Sequence, residues 1–198
     1  MTTLSDYKKL DNYIIIYHRQ THQRSAYPNG HGQRVSDLCI QFGKYLGYDK
    51  AFVKQLKYAA RIHDFGKIII PLEILEKTTA LNPGEWLRMK AHPQYAFEVL
   101  EDLQLSDNTI PLMVLHHHLN YDGTGYPQTN IKEQDIPLGA RIIAIIDRFD
   151  AMTHRRVYRA REREALTPEC AIKQLVREAE KLDPVLLAKF IEMVKVKE

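Results

Sequence analysis

DKAFVKQLKYAARIHDFGKIII, residues 49–70, decides how this chain is read. Asp49 is a helix cap, and behind it Phe52, Leu56, Ala59 and Ala60 recur at helical spacing, which makes one face apolar. His63 continues that face and so points into the core. Asp64 follows at once and Lys67 comes three residues later, with AA before the group and III after it. Polar side chains set among core-forming residues are costly to desolvate unless something offsets the cost. A His, an Asp and a Lys at the buried end of a helix therefore need a common partner.

The same helical signals recur on either side. Val35, Leu38, Cys39, Phe42 and Leu46 keep one face apolar, and Gly47 ends that segment. Asn82-Pro83, Thr167-Pro168 and Asp183-Pro184 read as a cap followed by proline at the first helical position. Helices are expected at 93–103, 108–118, 138–153, 167–181 and 184–195, with a further one at 4–20 lying outside the main pattern. Strand signals are almost absent. NYDGTGYPQTNIKEQDIP, residues 120–137, is the one long non-helical piece, and long ordered loops in compact domains are often functional. The reading is an all-α fold: residues 1–26 as an N-terminal helical extension, and residues 27–198 as one helical domain with a single elaborate loop.

Composition narrows the function. A chain of 198 residues suffices for one sizeable domain, and a net charge of +3 is too small to argue for a nucleic-acid polymer or a membrane surface. Cys39 and Cys170 are far apart and lack CxxC spacing, which suits buried thiols in a reducing cytosol. Apolar runs are short, IIAII at 142–146 being bounded by Arg141 and Asp147, so a cytoplasmic protein is expected. Histidine is the unusual residue, with nine in the chain and three consecutive at His116, His117 and His118.

Taken in order, the candidate metal ligands are His31, His63, Asp64, His92, His117, His118 and Asp147. Each lies near the end of an expected helix or deep on an apolar face. Asp147 follows IIAII, where an unpaired carboxylate would be expensive. One buried histidine is more often a hydrogen-bonded core residue than a ligand, so His31 or His92 alone would carry little weight; the ensemble carries the argument. Mixed imidazole and carboxylate donors suit transition metals better than Mg²⁺ or Ca²⁺. Five His and two Asp exceed one tetrahedral ion and point to two. His18, His22, His116 and His154 are left as surface or structural residues.

HDFGK, HHLNYDGTGYP and ARIIAIIDRFDAMTHRRVYR together resemble the HD-GYP domain, a branch of the HD phosphohydrolase superfamily. The resemblance covers roughly residues 27–191 in the expected order. It implies an all-α HD-domain bundle that hydrolyses cyclic di-GMP at two or three metal ions, commonly iron, with manganese as the other candidate here. Carried over by position, it implies that Asp64 bridges the ions, with His31, His63 and Asp147 on one side and His92, His117 and His118 on the other. Asp64 and Lys67 are then the catalytic pair. Lys67, Asp150, Arg156, Arg159 and Tyr126 are expected to meet the substrate, guanidinium forks being suited to phosphate oxygens. For Arg161 and Arg163 a solvated helix face is the reading.

Two departures bear on the outer loop. Leu119 and Asn120 stand where the family usually has Glu then Arg, and QTNIKEQDIP replaces a glycine-rich stretch. They leave room for other readings: a non-catalytic module that senses the cyclic dinucleotide, or an HD phosphohydrolase acting on another nucleotide. The loop is also where a protein partner would dock. The roughly 30 residues ahead of His31 are too few for a sensor or receiver domain, so input is expected from a separate chain or from a longer native protein. Tyr27 occupies the position of the family's extra carboxylate for a third metal, and a phenol with a pKa near 10 is a poor ligand. Two ions, and linear pGpG as the main product, are the expectation.

Overall fold

The computed structural model describes residues 1–21, 30–154 and 165–196. Among the described residues ten α-helices follow one another: α1 Leu4–Thr21, α2 His31–Tyr45, α3 Lys50–Ile62, α4 Leu72–Leu75, α5 Pro83–Lys90, α6 His92–Asp102, α7 Thr109–Leu115, α8 Leu138–Thr153, α9 Pro168–Arg177 and α10 Pro184–Lys195. A 3₁₀ turn, Phe65–Ile69, follows α3. There is no named strand among the described residues, only an isolated bridge between Leu119 and Gly125. The all-α expectation therefore holds.

The starts are where capping chemistry put them. Asp49 accepts from the Phe52 amide at 2.8 Å, and Asn82 and Glu85 form a reciprocal capping box. Thr167 accepts from the Cys170 amide, and Asp183 from the Val185 and Leu186 amides. Such a cap is worth about 1 kcal/mol. The core runs through the middle of the bundle: α2 packs along α3 and α8, α7 lies against α3 and α6, and α9 covers α8. Phe42, Leu56, Ile62, Leu100, Ile145 and Phe190 are fully buried there. Phe190 of α10 receives Phe42 and Phe149 edge-on, at 5.4 and 5.2 Å between ring centroids.

Four expectations need correction. Helix α1 does not stand outside the core. Tyr7 and Leu10 are buried in it, the Tyr58 hydroxyl donates to Asp11 at 2.7 Å, and Tyr13 and Tyr17 both pack on Phe65. Polar residues between its apolar ones hid that stripe. Helix α7 ends at Leu115, short of the paired histidines, because the His116 and His117 rings donate Nδ1–H to the carbonyls of Leu112 and Val114. The His117 ring takes over the Val114 carbonyl that a continued helix would have used, while the Leu112 carbonyl is shared with the His116 amide. The helix expected over 167–181 stops at Arg177 and resumes as a 3₁₀ turn, Ala179–Lys181; Cys170, expected to be buried, is exposed, whereas Cys39 is buried.

The long loop is ordered by its own backbone. The Asn120 amide donates to the Thr124 carbonyl at 2.8 Å, and the Tyr126 amide to the His118 carbonyl at 3.2 Å. Gly125 sits at φ 97°, where any Cβ would lie 2.4 Å from the His118 carbonyl oxygen, so glycine is required on both counts. Leu119, Ile131, Ile136 and Ala140 form a small apolar cluster beneath the loop. Among the described residues no helix is long and apolar enough to cross a membrane.

Candidate metal centre

Helix ends converge on one spot. Gly30, at φ 76°, turns the chain into α2 so that His31 is its first residue; His63 caps the C-terminus of α3, and Asp64 follows it. His92 opens α6, His117 and His118 lie in the turns after α7, and Asp147 comes from the middle of α8. All seven sequence-predicted ligands are brought together. They form two groups, one of His31, His63 and Asp147, the other of Asp64, His92, His117 and His118, with ligand atoms in each group within 4.8 Å of one another. Asp64 faces both. Its Oδ1 is 3.3 Å from His92 Nε2, while Oδ2 is 3.7 Å from His63 Nε2 and 3.8 Å from His31 Nε2.

The hydrogen bonds on the far side of each ring fix what faces inward. His63, His92 and His117 place Nδ1 at 2.7, 2.9 and 2.6 Å from the carbonyls of Ala60, Met89 and Val114. A carbonyl only accepts, so each Nδ1 carries the proton and each Nε2 presents a lone pair to the site. His92 Nε2 and His117 Nε2 are 3.4 Å apart at the centre of this group. Nε2 of His63 and Oδ1 of Asp64 are buried with no hydrogen-bond partner, while Nε2 of His31 lies 3.0 Å from Asp147 Oδ1. Orphaned buried acceptors are expensive, and a cation held among them removes the cost. The donor set fits two transition-metal ions.

The charge balance points the same way. Burial lowers the pKa values of His63, His117 and His118, so these rings are neutral and able to ligate. Burial pushes Asp64 and Asp147 upward, but the surrounding cations and imidazoles outweigh it, with Lys67 foremost at Asp64 and His31 at Asp147; both carboxyls stay well below the usual range. For His31, burial is outweighed by the Asp147 and Asp150 carboxylates, which raise it to about 9. A bound metal ion displaces the proton that those carboxylates hold there.

Three further expected residues take distinct places. Lys67 Nζ lies 2.6 Å from Asp64 Oδ2, its side chain one-fifth exposed at the rim. Tyr126 lies against a ligand, its ring 4.7 Å from that of His118. Asp150 was expected at the substrate and is instead behind the site: it is 1% exposed, accepts from His31 Nδ1 at 2.7 Å, and accepts from Arg34 Nε and Nη2 at 2.8 and 2.9 Å. It orients a ligand and touches no open surface. A sequence signal for this exists, since Asp150 is one helical turn from Asp147 and Arg34 one turn from His31. Arg156, Arg159 and Tyr27 lie outside the described residues.

One feature had no sequence signal, and a second gives the reason for a departure that the sequence showed. Gly66 packs the 3₁₀ turn onto the start of α6 so closely that a Cβ would lie 1.8 Å from the His92 carbonyl oxygen and 2.9 Å from the Ala96 nitrogen. Gly66→Ala must push Asp64 away from His92. Such overpacking costs about 1–3 kcal/mol, so Tm should fall by roughly 5 °C and metal should bind more weakly. An unchanged melting curve would disprove the close packing. The second feature explains one departure in the loop. Asn120 accepts from Arg148 Nη2 at 2.6 Å and donates to the Thr124 hydroxyl at 2.8 Å, while Leu119 is buried in the cluster beneath the loop. Both residues build the loop and leave the ligands untouched.

A family model described as HD domain matches residues 19–186. The cyclic di-GMP phosphodiesterase of Thermotoga maritima is 35% identical over 152 residues, covering 74% of this chain and 40% of that protein. The 3'3'-cGAMP-specific phosphodiesterase 2 of Vibrio cholerae is 34% identical over 137 residues, covering 69% of this chain and 26% of that protein. This chain thus spans less than half the length of these curated relatives. Among solved structures, Bd1817, an HDG"Y"P protein of Bdellovibrio bacteriovorus, superposes with a TM-score of 0.66 at 22% identity, over 83% of this chain and 51% of that one; the likeness there is one of fold. With the ligand cluster, the GTGYP loop and a matching model over most of its length, the chain belongs to the HD domain family, in its HD-GYP branch.

Proposed function

We propose that this chain is a metal-dependent phosphodiesterase that hydrolyses cyclic di-GMP to linear pGpG. The observation that carries the reading is the inward set of ring nitrogens, tautomers fixed from behind, around a carboxylate that faces two ligand groups. A pure sensing module has no need of that set together with Lys67. His31, His63 and Asp147 would hold one ion, His92, His117 and His118 the other, and Asp64 both. Iron is the metal we expect, with manganese second. When bound, such a pair activates water near neutral pH and polarises a phosphoryl oxygen.

The protein's own groups do the rest. Lys67 offsets charge that builds on the non-bridging phosphate oxygens, and does so at a rim partly shielded from water. Arg156 and Arg159 would grip the phosphate not being cut. Water attacks phosphorus in line with the 3′-oxygen, the P–O3′ bond breaks, and the leaving oxygen takes its proton from water. One phosphodiester is opened per water consumed, and pGpG results. The name of the Vibrio cholerae relative favours one second reading, a cyclic GMP-AMP dinucleotide as substrate.

The test is elemental analysis followed by a timed assay on the same protein. About two transition-metal ions per chain are expected, with cyclic di-GMP consumed, pGpG accumulating and GMP slow to form. Chelation should stop turnover. A single stoichiometric zinc, or metal-loaded protein inert toward cyclic di-GMP, would overturn the reading; early GMP would overturn the product assignment alone.

A further inference from the structure

Helix α5 buries none of its residues, yet it is firmly placed. The Asn82–Glu85 capping box closes its first turn, Lys77 Nζ pairs with both Glu85 carboxylate oxygens at 2.5 and 2.7 Å, and Met89 packs on the small cluster of Ile70, Ile74 and Leu75. The helix runs through Ala91 directly into the ligand His92. On this rigid support Trp86 is 48% exposed and Leu87 73% exposed. Pro83, Trp86, Leu87 and Lys90 line an open recess of about 530 Å³.

A series of ring and cation contacts leads from the recess toward the metal centre. Trp86 and Lys90 are one helical turn apart, and Lys90 Nζ lies over both rings, 6.0 Å from the Trp86 centroid and 5.9 Å from the Tyr126 centroid, so a base would stack on the indole face away from it. The Tyr126 ring lies in turn 4.7 Å from the ligand His118. The order from outside inward is an exposed indole, a cation, a phenol and a metal ligand. An exposed flat π-face with a cation beside it is what nucleotide-binding grooves use, the face for a base and the cation for the phosphate backbone.

We propose that Trp86 and Lys90 form a nucleobase subsite, with one purine of the dinucleotide stacked on Trp86 while its phosphate lies at the metal cluster. Lys90 bridges the two by charge. The proposal rests on the phosphodiesterase reading above and adds the residue that selects for a flat, base-bearing substrate. A second copy of this chain could instead cover Trp86 and Leu87, but that occupant leaves Lys90 and its place beside Tyr126 unexplained.

Trp86 is the sole tryptophan of the chain, so its emission reports on this recess alone. The metal-loaded protein is titrated with a non-hydrolysable phosphorothioate of cyclic di-GMP, with deoxyribose 5-phosphate as the base-free control. Saturable quenching by the dinucleotide and none by the sugar phosphate is expected. In steady-state assays Trp86→Ala should raise KM roughly tenfold, a typical loss for one stacked base, with kcat within about twofold. Trp86→Phe should restore most of the affinity and Trp86→Leu little. Normal turnover with an unchanged KM for Trp86→Ala overturns the subsite and leaves the phosphodiesterase reading standing. Quenching without hydrolysis supports the subsite and overturns the catalytic reading. A change in sedimentation of Trp86→Ala with KM unmoved assigns the face to a second copy and overturns the subsite.

Discussion

Asp64→Ala is expected to abolish metal retention and turnover together. Asp64 presents one oxygen to each ligand group, Oδ1 toward His92 and Oδ2 toward His31 and His63, so both groups lose a donor at once. What remains around the second group is three imidazoles. Losing a negative donor there also removes the charge that offsets bringing a cation into a dry site, a penalty of several kcal/mol per ion. Asp64→Asn keeps the volume and loses the charge, and should fail in the same way. The fold should survive, because the helices are held by the apolar core and not by this carboxylate. Elemental analysis, far-UV circular dichroism and turnover of the two variants provide the check. Two ions per chain and wild-type turnover in either variant would sink the assignment of Asp64.

Lys67→Ala is expected to keep both ions and lower kcat by roughly 10²-fold, the usual loss when one charge contact to the transition state is removed. Lys67 Nζ sits 2.6 Å from Asp64 Oδ2 on a 3₁₀ turn, so it has two plausible duties: holding Asp64 ionised and meeting the substrate phosphate. The experiment separates them. If the first duty dominates, metal content falls with activity; if the second does, metal content holds while kcat drops. Lys67→Arg should recover part of the rate, since the charge returns on a different fork geometry. Full activity in Lys67→Ala would return the residue to a role as counter-ion only.

Much of this molecule was legible in the residues themselves. Helix starts at Asp49, Asn82, Thr167 and Asp183 could be read because a cap and its amide partner lie within three residues. The all-α class followed from apolar spacing, which is equally local. The candidate ligands were legible as a group because buried His and Asp are chemically out of place on apolar faces, whatever the tertiary arrangement. The order of motifs then suggested the family.

What only the tertiary structure decided depends on pairs distant in sequence. Asp150 looks like any acid among arginines until α2 places His31 against it, 119 residues away. The same holds for α1, which reads as a helix outside the main pattern until Phe65 packs on its Tyr13 and Tyr17, and for Gly66, whose need for a bare Cα exists only because the His92 carbonyl comes within touching distance. The tautomers of the ligand rings were invisible as well, since they are set by carbonyls at the last turns of α3 and α7 and by the Met89 carbonyl just ahead of α6. Local sequence determines which elements form and which residues are too polar for their surroundings. Which oxygen faces which nitrogen is decided by how those elements pack, because hydrogen-bond geometry is resolved over tenths of an ångström that no spacing rule encodes.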